Sequence, residues 1–172
     1  MIPIDKFRMG YFILYKNTGG IFGNAIVKRQ LVEGFNKEDA QFTHIEISGG
    51  EIHSVNISPP VSKLIEITKV HKGEYCRLVK YRNSDYENGL RYKVAYFSAT
   101  LCNKGYDVQG IFAFLFKWIK QNNRLFFCSE GAAYSLQKVF PDALAGKIPD
   151  TVMPADFTNP FFFEMVWEGI IE

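Results

Sequence analysis

Residues 41–58 read QFTHIEISGGEIHSVNIS, and this stretch decides the class of fold. Apolar and polar residues alternate on both sides of a Gly-Gly pair, as they do in strands that bury one face. Gly49 and Gly50 tolerate the positive φ angles that a two-residue hairpin turn requires. The stretch therefore predicts a β-hairpin whose two antiparallel strands are joined at Gly49-Gly50.

The predicted turn also decides which side chains share a face of the hairpin. With Gly49 and Gly50 as the loop, Glu46 lies opposite His53. His44 and His53 then become diagonal neighbours, with Cβ atoms roughly 7–8 Å apart. The polar residues on this face are His44, Glu46, Glu51 and His53. Two interpretations stay open, a solvated sheet face or a pair of imidazoles that belong to a site, and a slip of one residue would separate the pair.

The rest of the chain predicts a mixture of strands and helices. The strand-like runs are YFILYKN (11–17), KLIEITKV (63–70) and YCRLVKYR (75–82). Apolar residues recur at helical or mixed spacing in four segments, which are residues 19–35, 88–104, 107–121 and 129–140. Without repeats or linkers, this order predicts one α+β domain over residues 1–172, with an antiparallel sheet packed against helices.

Composition and charge exclude several classes of function. The chain has 172 residues, 47% of them hydrophobic, and a net charge of +2 with scattered basic residues, so it does not suit nucleic acid or an anionic membrane. The longest apolar runs, GIFAFLF and FFFEMVW, are too short to cross a bilayer, which predicts no stable membrane insertion. Three cysteines without close pairs and no signal-peptide pattern favour a cytoplasmic protein with free thiols. Delivery by a phage or another route stays open.

A lone cysteine in RLFFCSEGAAYSLQKVF, residues 124–140, is the candidate nucleophile. Cys128 ends an apolar run and precedes a small-residue helix, whose first N–H groups and dipole favour a thiolate. The alternative is a buried structural thiol, the commoner fate of a free cysteine. Cys76 and Cys102 are interpreted as structural. No cysteine or histidine pair has the short spacing of zinc sites, so neither a metal nor a cofactor is predicted.

Five motifs in order resemble one known family: FTHIEISGG, IHSV, KGYD, FFCSEG and MPADFTNP. The chain from Tyr11 to Trp167 is similar to the circularly permuted papain-like cysteine peptidases of the NlpC type, in particular the YiiX-like group. Lecithin retinol acyltransferase is a more distant relative in that superfamily. The resemblance implies a permuted papain-like fold, with an antiparallel sheet or small barrel packed against helices. Tyr11, where the family usually has aspartate, and Glu46, where a small residue is common, depart from the pattern.

The resemblance implies a role for each matching residue. Cys128 matches the nucleophile, His44 the general base and His53 the third member of the triad. Tyr106 matches a tyrosine that binds the oxyanion or the substrate, although Gly-Tyr-Asp is also an ordinary turn. Glu46 is a candidate orienting residue for the base, in competition with His53.

The implied function is hydrolysis of an amide bond, in a cell-wall-type peptide, through a Cys-His-His triad and an acyl-enzyme. The alternatives are a lipid amide or ester acyltransferase or hydrolase of the same fold, and a non-catalytic binding module. The expected partner is a small peptide or a lipid-like acyl substrate. The aromatic segment NPFFFEMVWEG, residues 159–169, is interpreted as core, with the lining of an acyl groove as the alternative. The sequence leaves the oligomeric state open.

Overall fold

A computed structural model describes residues 3–107 and 126–172 of the chain. Its strands form a single sheet, and they are β1 (Phe12–Lys16), β2 (Phe42–Gly50), β3 (His53–Asn56), β4 (Lys63–Glu66), β5 (Tyr75–Tyr81) and β6 (Phe163–Ile170). The strand order across the sheet is β4-β3-β2-β1-β5-β6, and every neighbouring pair is antiparallel. The predicted α+β class with an antiparallel sheet is therefore confirmed. Among the described residues the sheet is open, so the small-barrel alternative is wrong.

Helices and single turns connect the strands. The helices are α1 (Ile21–Val32), α2 (Ile67–Val70), α3 (Arg91–Ala99) and α4 (Cys128–Gln137). A π-helical turn, Tyr86–Leu90, precedes α3, and the 3-10 turns are Ile4–Lys6, Asp39–Gln41, Ala143–Gly146, Pro149–Thr151 and Pro154–Thr158. Helices α1, α3 and α4 confirm three of the predicted helical segments. The predicted helix over 107–121 falls, beyond its first residue, outside the described residues.

Strand β1 lies at the centre of the core. Its residues Phe12, Ile13 and Leu14 have no exposed surface, because β2 and β5 flank the strand and its two faces are both covered. A continuous apolar run is what such a doubly covered strand requires. Helix α4 packs on β2 and against α3. None of the helices in the described part of the chain has both the length and the apolar character that a bilayer-spanning segment requires.

The predicted register of the central hairpin is wrong. The two-residue loop is Glu51-Ile52, with Gly50 opposite His53, and a bulge at Gly49 lets Ser48 pair with Ser54. The positive φ angles fall at Gly50 (98°) and Glu51 (54°), not at Gly49 and Gly50. Moving the loop and adding a bulge carries the odd-numbered residues of β3 to the other face of the sheet.

The predicted strand over residues 63–70 is half right. Strand β4 stops at Glu66, and the single-turn helix α2 follows with Ile67 buried. The N–H of His71 donates to the carbonyl of Ile67 at 2.8 Å, which ends α2 and turns the chain back toward β2. This reversal delivers a histidine that the sequence analysis did not single out.

Candidate active site

Cys128 is the first residue of α4 and is 5% exposed. Phe127, the preceding residue, has an extended backbone (φ −99°, ψ 170°), so the chain changes from extended to helical at the thiol. The first N–H groups of a helix have no partner within the helix and favour negative charge nearby. The predicted placement of Cys128 at a helix start is confirmed.

Three contacts fix the first turn of α4. The hydroxyl of Ser129 donates to the carbonyl of Val152 at 2.7 Å, and Glu130 Oε2 accepts from the Phe127 N–H at 3.3 Å. Gly131 lets the helix approach the chain that follows β3, because a Cβ on this glycine would lie 2.3 Å from Cδ1 of Ile57. The position of Cys128 therefore depends on the three residues that follow it.

His44 on β2 is the residue that meets Cys128. The side chain of Cys128 is the partner that most strongly raises the pKa of His44. The Nε2 atom of His44 lies 3.4 Å from Oε1 of Glu46. Burial lowers the pKa of His44, but the charge of Cys128 and its hydrogen bond, followed by those of Glu46, outweigh burial and raise the pKa to about 10. Such a ring holds a proton at neutral pH.

Glu46 is fully buried and accepts hydrogen bonds on both oxygens. Its Oε1 contacts His44 and, at 2.8 Å, Nε2 of His71. Its Oε2 accepts from the hydroxyls of Tyr15, at 3.2 Å, and Ser54. Burial raises the pKa of Glu46, but the hydrogen bonds from the two histidines outweigh it and lower the pKa to about 2. Glu46 is thus an anion held beneath the ring of His44.

His71 extends this group and was missed by the sequence analysis. Both of its ring nitrogens contact carboxylates, because Nδ1 lies 3.0 Å from Oε2 of Glu74 while Nε2 contacts Glu46. Two ring donors are the property of a protonated imidazole. Burial lowers the pKa of His71, but the bonds with Glu46 and Glu74 raise it overall. The ring of Tyr15 stacks on His71 with centroids 4.0 Å apart.

The structure does not bring His53 to this group. Its side chain is exposed, and its strand partners are Gly50 and Glu66. With Ser48 opposite Ser54, it is Ser54 that lies on the face of Glu46, where its hydroxyl donates to the carboxylate. The prediction that His53 lies beside His44 is therefore wrong, and it is Glu46 that contacts the ring of His44.

Tyr106 lies in the wall of the cavity that leads to His44. The cavity has a volume of about 630 Å³, and its lining includes Tyr15, His71 and Glu74. The lining also includes the apolar residues Phe22 and Ile26 from α1. Burial, followed by the charges of Cys128 and Asp107, raises the pKa of Tyr106, so its hydroxyl is a donor near the nucleophile. The aromatic segment 159–169 does not contribute to this cavity: it forms β6 and the turn before it.

The other two cysteines lie in different surroundings. Cys76 is buried in β5, where burial, with the charges of Glu46 and Glu74, raises its pKa to about 12. Cys102 is half-buried after α3, and burial raises its pKa despite a hydrogen bond with the backbone of Leu64. Neither thiol has a histidine among the groups that shift its pKa, which supports the structural roles expected for both.

No metal cluster accompanies these residues. Within residues 3–107 and 126–172, no group of three or more His, Cys, Asp or Glu side chains is arranged to hold a metal ion.

Comparisons of the chain with protein-family models, with curated proteins and with solved structures gave no match. The site must therefore be interpreted from its own geometry.

Proposed function

We propose that this chain is a cysteine hydrolase of the permuted papain-like, NlpC-type fold, which cleaves an amide bond in a cell-wall-type peptide through an acyl-enzyme. One observation carries the proposal. A cysteine at the start of a helix interacts with His44 and raises its pKa, and His44 in turn contacts the buried carboxylate of Glu46. A thiol is activated when a base lies beside it and a third group orients that base. Cys128, His44 and Glu46 provide this arrangement.

The first half of the reaction forms the acyl-enzyme. His44 holds the proton of Cys128, and the thiolate attacks the carbonyl carbon, so that a C–S bond forms and the carbonyl oxygen becomes an oxyanion. The N–H of Cys128 at the helix start and the hydroxyl of Tyr106 are the donors available to that oxyanion. His44 then gives its proton to the leaving nitrogen, the C–N bond breaks and an amine departs.

The second half releases the acid. His44, again neutral, takes a proton from water, and the hydroxide oxygen attacks the thioester carbon. The C–S bond breaks, the product leaves as a carboxylic acid, and Cys128 recovers its starting state. Glu46 keeps the ring of His44 in one orientation throughout. The cycle needs no cofactor.

The three free cysteines support the cytoplasmic location expected from the sequence.

Selective alkylation tests the activation of the thiol. We expect iodoacetamide to modify Cys128 at least about tenfold faster than Cys102 at mildly acidic pH, because only Cys128 has an imidazolium beside it. Peptide mass spectrometry after timed exposure measures each site. Cys128→Ala removes the fast site, Cys102→Ala preserves it, and His44→Ala slows it. Equal rates at the two cysteines would contradict the proposal.

Acyl-enzyme trapping tests the substrate. The protein is incubated with a mixture of cell-wall peptides and quenched with acid, and we expect the mass of an acyl group to be added to Cys128. In the His44→Ala variant this acyl-enzyme should form more slowly. Parallel incubation with phosphatidylcholine vesicles tests the second candidate, a lipid acyltransferase or hydrolase. The apolar side chains of Phe22 and Ile26 in the cavity wall favour that candidate. An acyl mass from the vesicles and none from the peptides would replace the first candidate by the second.

A further inference from the structure

Asn56, the last residue of β3, has a buried side-chain oxygen without a hydrogen-bond partner in the described part of the chain. The residue is 5% exposed, and its Oδ1 is enclosed with no hydrogen bond to the rest of the described chain. Buried side-chain amides in folded proteins are normally paired, because an unpaired one loses its bonds to water without replacement. Gln30 shows the usual pattern in this protein, since its amide makes three hydrogen bonds, with the backbones of Ala40, Phe42 and Ala155.

The fold places Asn56 at the candidate active site. Ile47 pairs with Val55, so the next step of the register puts Asn56 opposite Glu46, on the sheet face that carries His44. The following residue, Ile57, contacts the first turn of α4 at Gly131. Asn56 also lines the cavity that His44 and Tyr106 line. Asn56 is therefore part of the wall that a bound substrate would contact.

We propose that Asn56 is a specificity-determining residue that recognises a secondary amide of the substrate. A carboxamide has one acceptor end and one donor end, and rotation about χ2 exchanges the two. A peptide group offers the complementary pair, an N–H and a carbonyl oxygen. An ester of the same shape offers only the carbonyl oxygen, so it leaves the acceptor end of Asn56 unpaired. The inference rests on the proposed function and deepens it, because it selects peptide-like substrates over esters.

Two matched alkylating probes test this preference without knowledge of the natural substrate. N-methyl-iodoacetamide and methyl iodoacetate differ only in an N–H in place of an oxygen. In each reaction the thiolate of Cys128 forms a bond to the methylene carbon, the carbon–iodine bond breaks and iodide leaves. The rate of each probe with Cys128 is divided by its rate with free cysteine, which removes the difference in intrinsic reactivity. The ratio of the two corrected rates measures recognition of the amide.

We expect the wild-type protein to favour the amide probe by about tenfold, the loss typical of one unmade hydrogen bond. Asn56→Leu, which keeps the volume and removes the hydrogen bonds, should bring the ratio to about one by slowing the amide probe alone. If the leucine variant fails to fold, Asn56→Ala is used in its place and should also bring the ratio to about one. Ser62→Ala is the matched control, because Ser62 is also buried with an unpartnered hydroxyl but does not line the cavity.

The outcomes separate this inference from the proposed function. Selective alkylation of Cys128 with a ratio that Asn56→Leu and Asn56→Ala leave unchanged would overturn the role of Asn56 and leave the activated thiol standing. A loss of rate that is equal for both probes would show that Asn56 only supports the fold of the site. Equal alkylation of Cys128 and Cys102 by both probes would overturn the proposed function itself.

Discussion

Nε2 of His71 lies 2.8 Å from Oε1 of Glu46, closer to that carboxylate oxygen than Nε2 of His44, which lies 3.4 Å away. The nearest cationic partner of the buried carboxylate is thus not the ring that contacts the thiol. Glu46 shares its charge between two imidazoles, and Glu74 holds the far side of the second one. This chain of alternating charges lets a carboxylate without water contact stay ionised beneath His44.

His71→Asn should therefore destabilise the protein. The substitution removes the closest hydrogen bond to a buried anion, which typically costs about 3 kcal/mol of the free energy of unfolding. Urea denaturation near neutral pH measures the change. His53→Asn is the matched control, because His53 is exposed and its loss is expected to change stability by less than about 0.5 kcal/mol. Equal effects of the two substitutions would contradict the importance of the bond between His71 and Glu46.

Glu46→Gln should weaken the fall in the free energy of unfolding that the wild-type protein shows at acidic pH. The pKa of Glu46 is about 2 in the folded protein against an ordinary 4.5, so its contribution is present above about pH 4.5 and is lost as the pH falls toward 2. The shift corresponds to roughly 3 kcal/mol over that interval. Urea denaturation of both proteins from about pH 6 down to the acid limit measures the slopes. Parallel curves would show that Glu46 is not the carboxylate that matters in acid.

The class of fold follows from the sequence because it depends on local patterns. The alternation in residues 41–58 and the apolar run of β1 specify antiparallel strands, and the small residues after Cys128 specify a closely packed helix. The register does not follow, because Gly49 and Gly50 both suit a turn. The choice between them depends on whether Gly49 forms a bulge, and that is settled by how β3 pairs with β4 as well as with β2.

The residues of the site were likewise predicted where the signal is local and missed where it depends on long-range contacts. Cys128, His44, Tyr106 and Glu46 were singled out, and the structure brings them together. His71 was missed because it follows a single-turn helix with no periodic signal, and only the path of the chain from β4 to β5 brings it under β2. Its pairing with Glu46 is a long-range contact. The one cue in the sequence was that a third histidine stood between two carboxylates, at Glu66 and Glu74.

Glu130→Gln should stabilise the protein at neutral pH. Burial, with the charges of Asp107 and Asp150, raises the pKa of Glu130 to about 7 despite the hydrogen bond from the Phe127 N–H. Because the folded pKa is above the ordinary 4.5, the wild-type protein loses stability as the pH rises from 4.5 to about 7, while glutamine stays neutral and still accepts the bond.

The advantage of Glu130→Gln should therefore grow over that interval to at most about 3 kcal/mol and stay level above it. Urea denaturation at a series of pH values measures it. Glu164→Gln, a change at an exposed carboxyl of β6, is the matched control and should follow the wild-type curve. A loss of stability in Glu130→Gln that grows as the pH rises from 4.5 to about 7 would show instead that the ionised carboxylate is required at the helix start.

Gly131→Ala should displace the nucleophile helix. The new Cβ would lie 2.3 Å from Cδ1 of Ile57 and 3.1 Å from Cδ1 of Leu101, so either these buried side chains or α4 must shift. Overpacking of this kind costs about 1–3 kcal/mol of stability. The displacement should also slow alkylation of Cys128 by iodoacetamide, since the thiol then moves relative to His44.

Ile57→Val provides the rescue that separates displacement from a general loss of stability. Valine lacks the Cδ1 atom that the alanine Cβ would meet, so the double variant Gly131→Ala/Ile57→Val should regain most of the alkylation rate at Cys128. Ile57→Val alone should cost about 1 kcal/mol of stability and leave that rate near the wild-type value. The three variants form a double-mutant cycle in which the two residues are coupled. Additive effects on the rate would mean that the approach of α4 to Ile57 does not position the thiol.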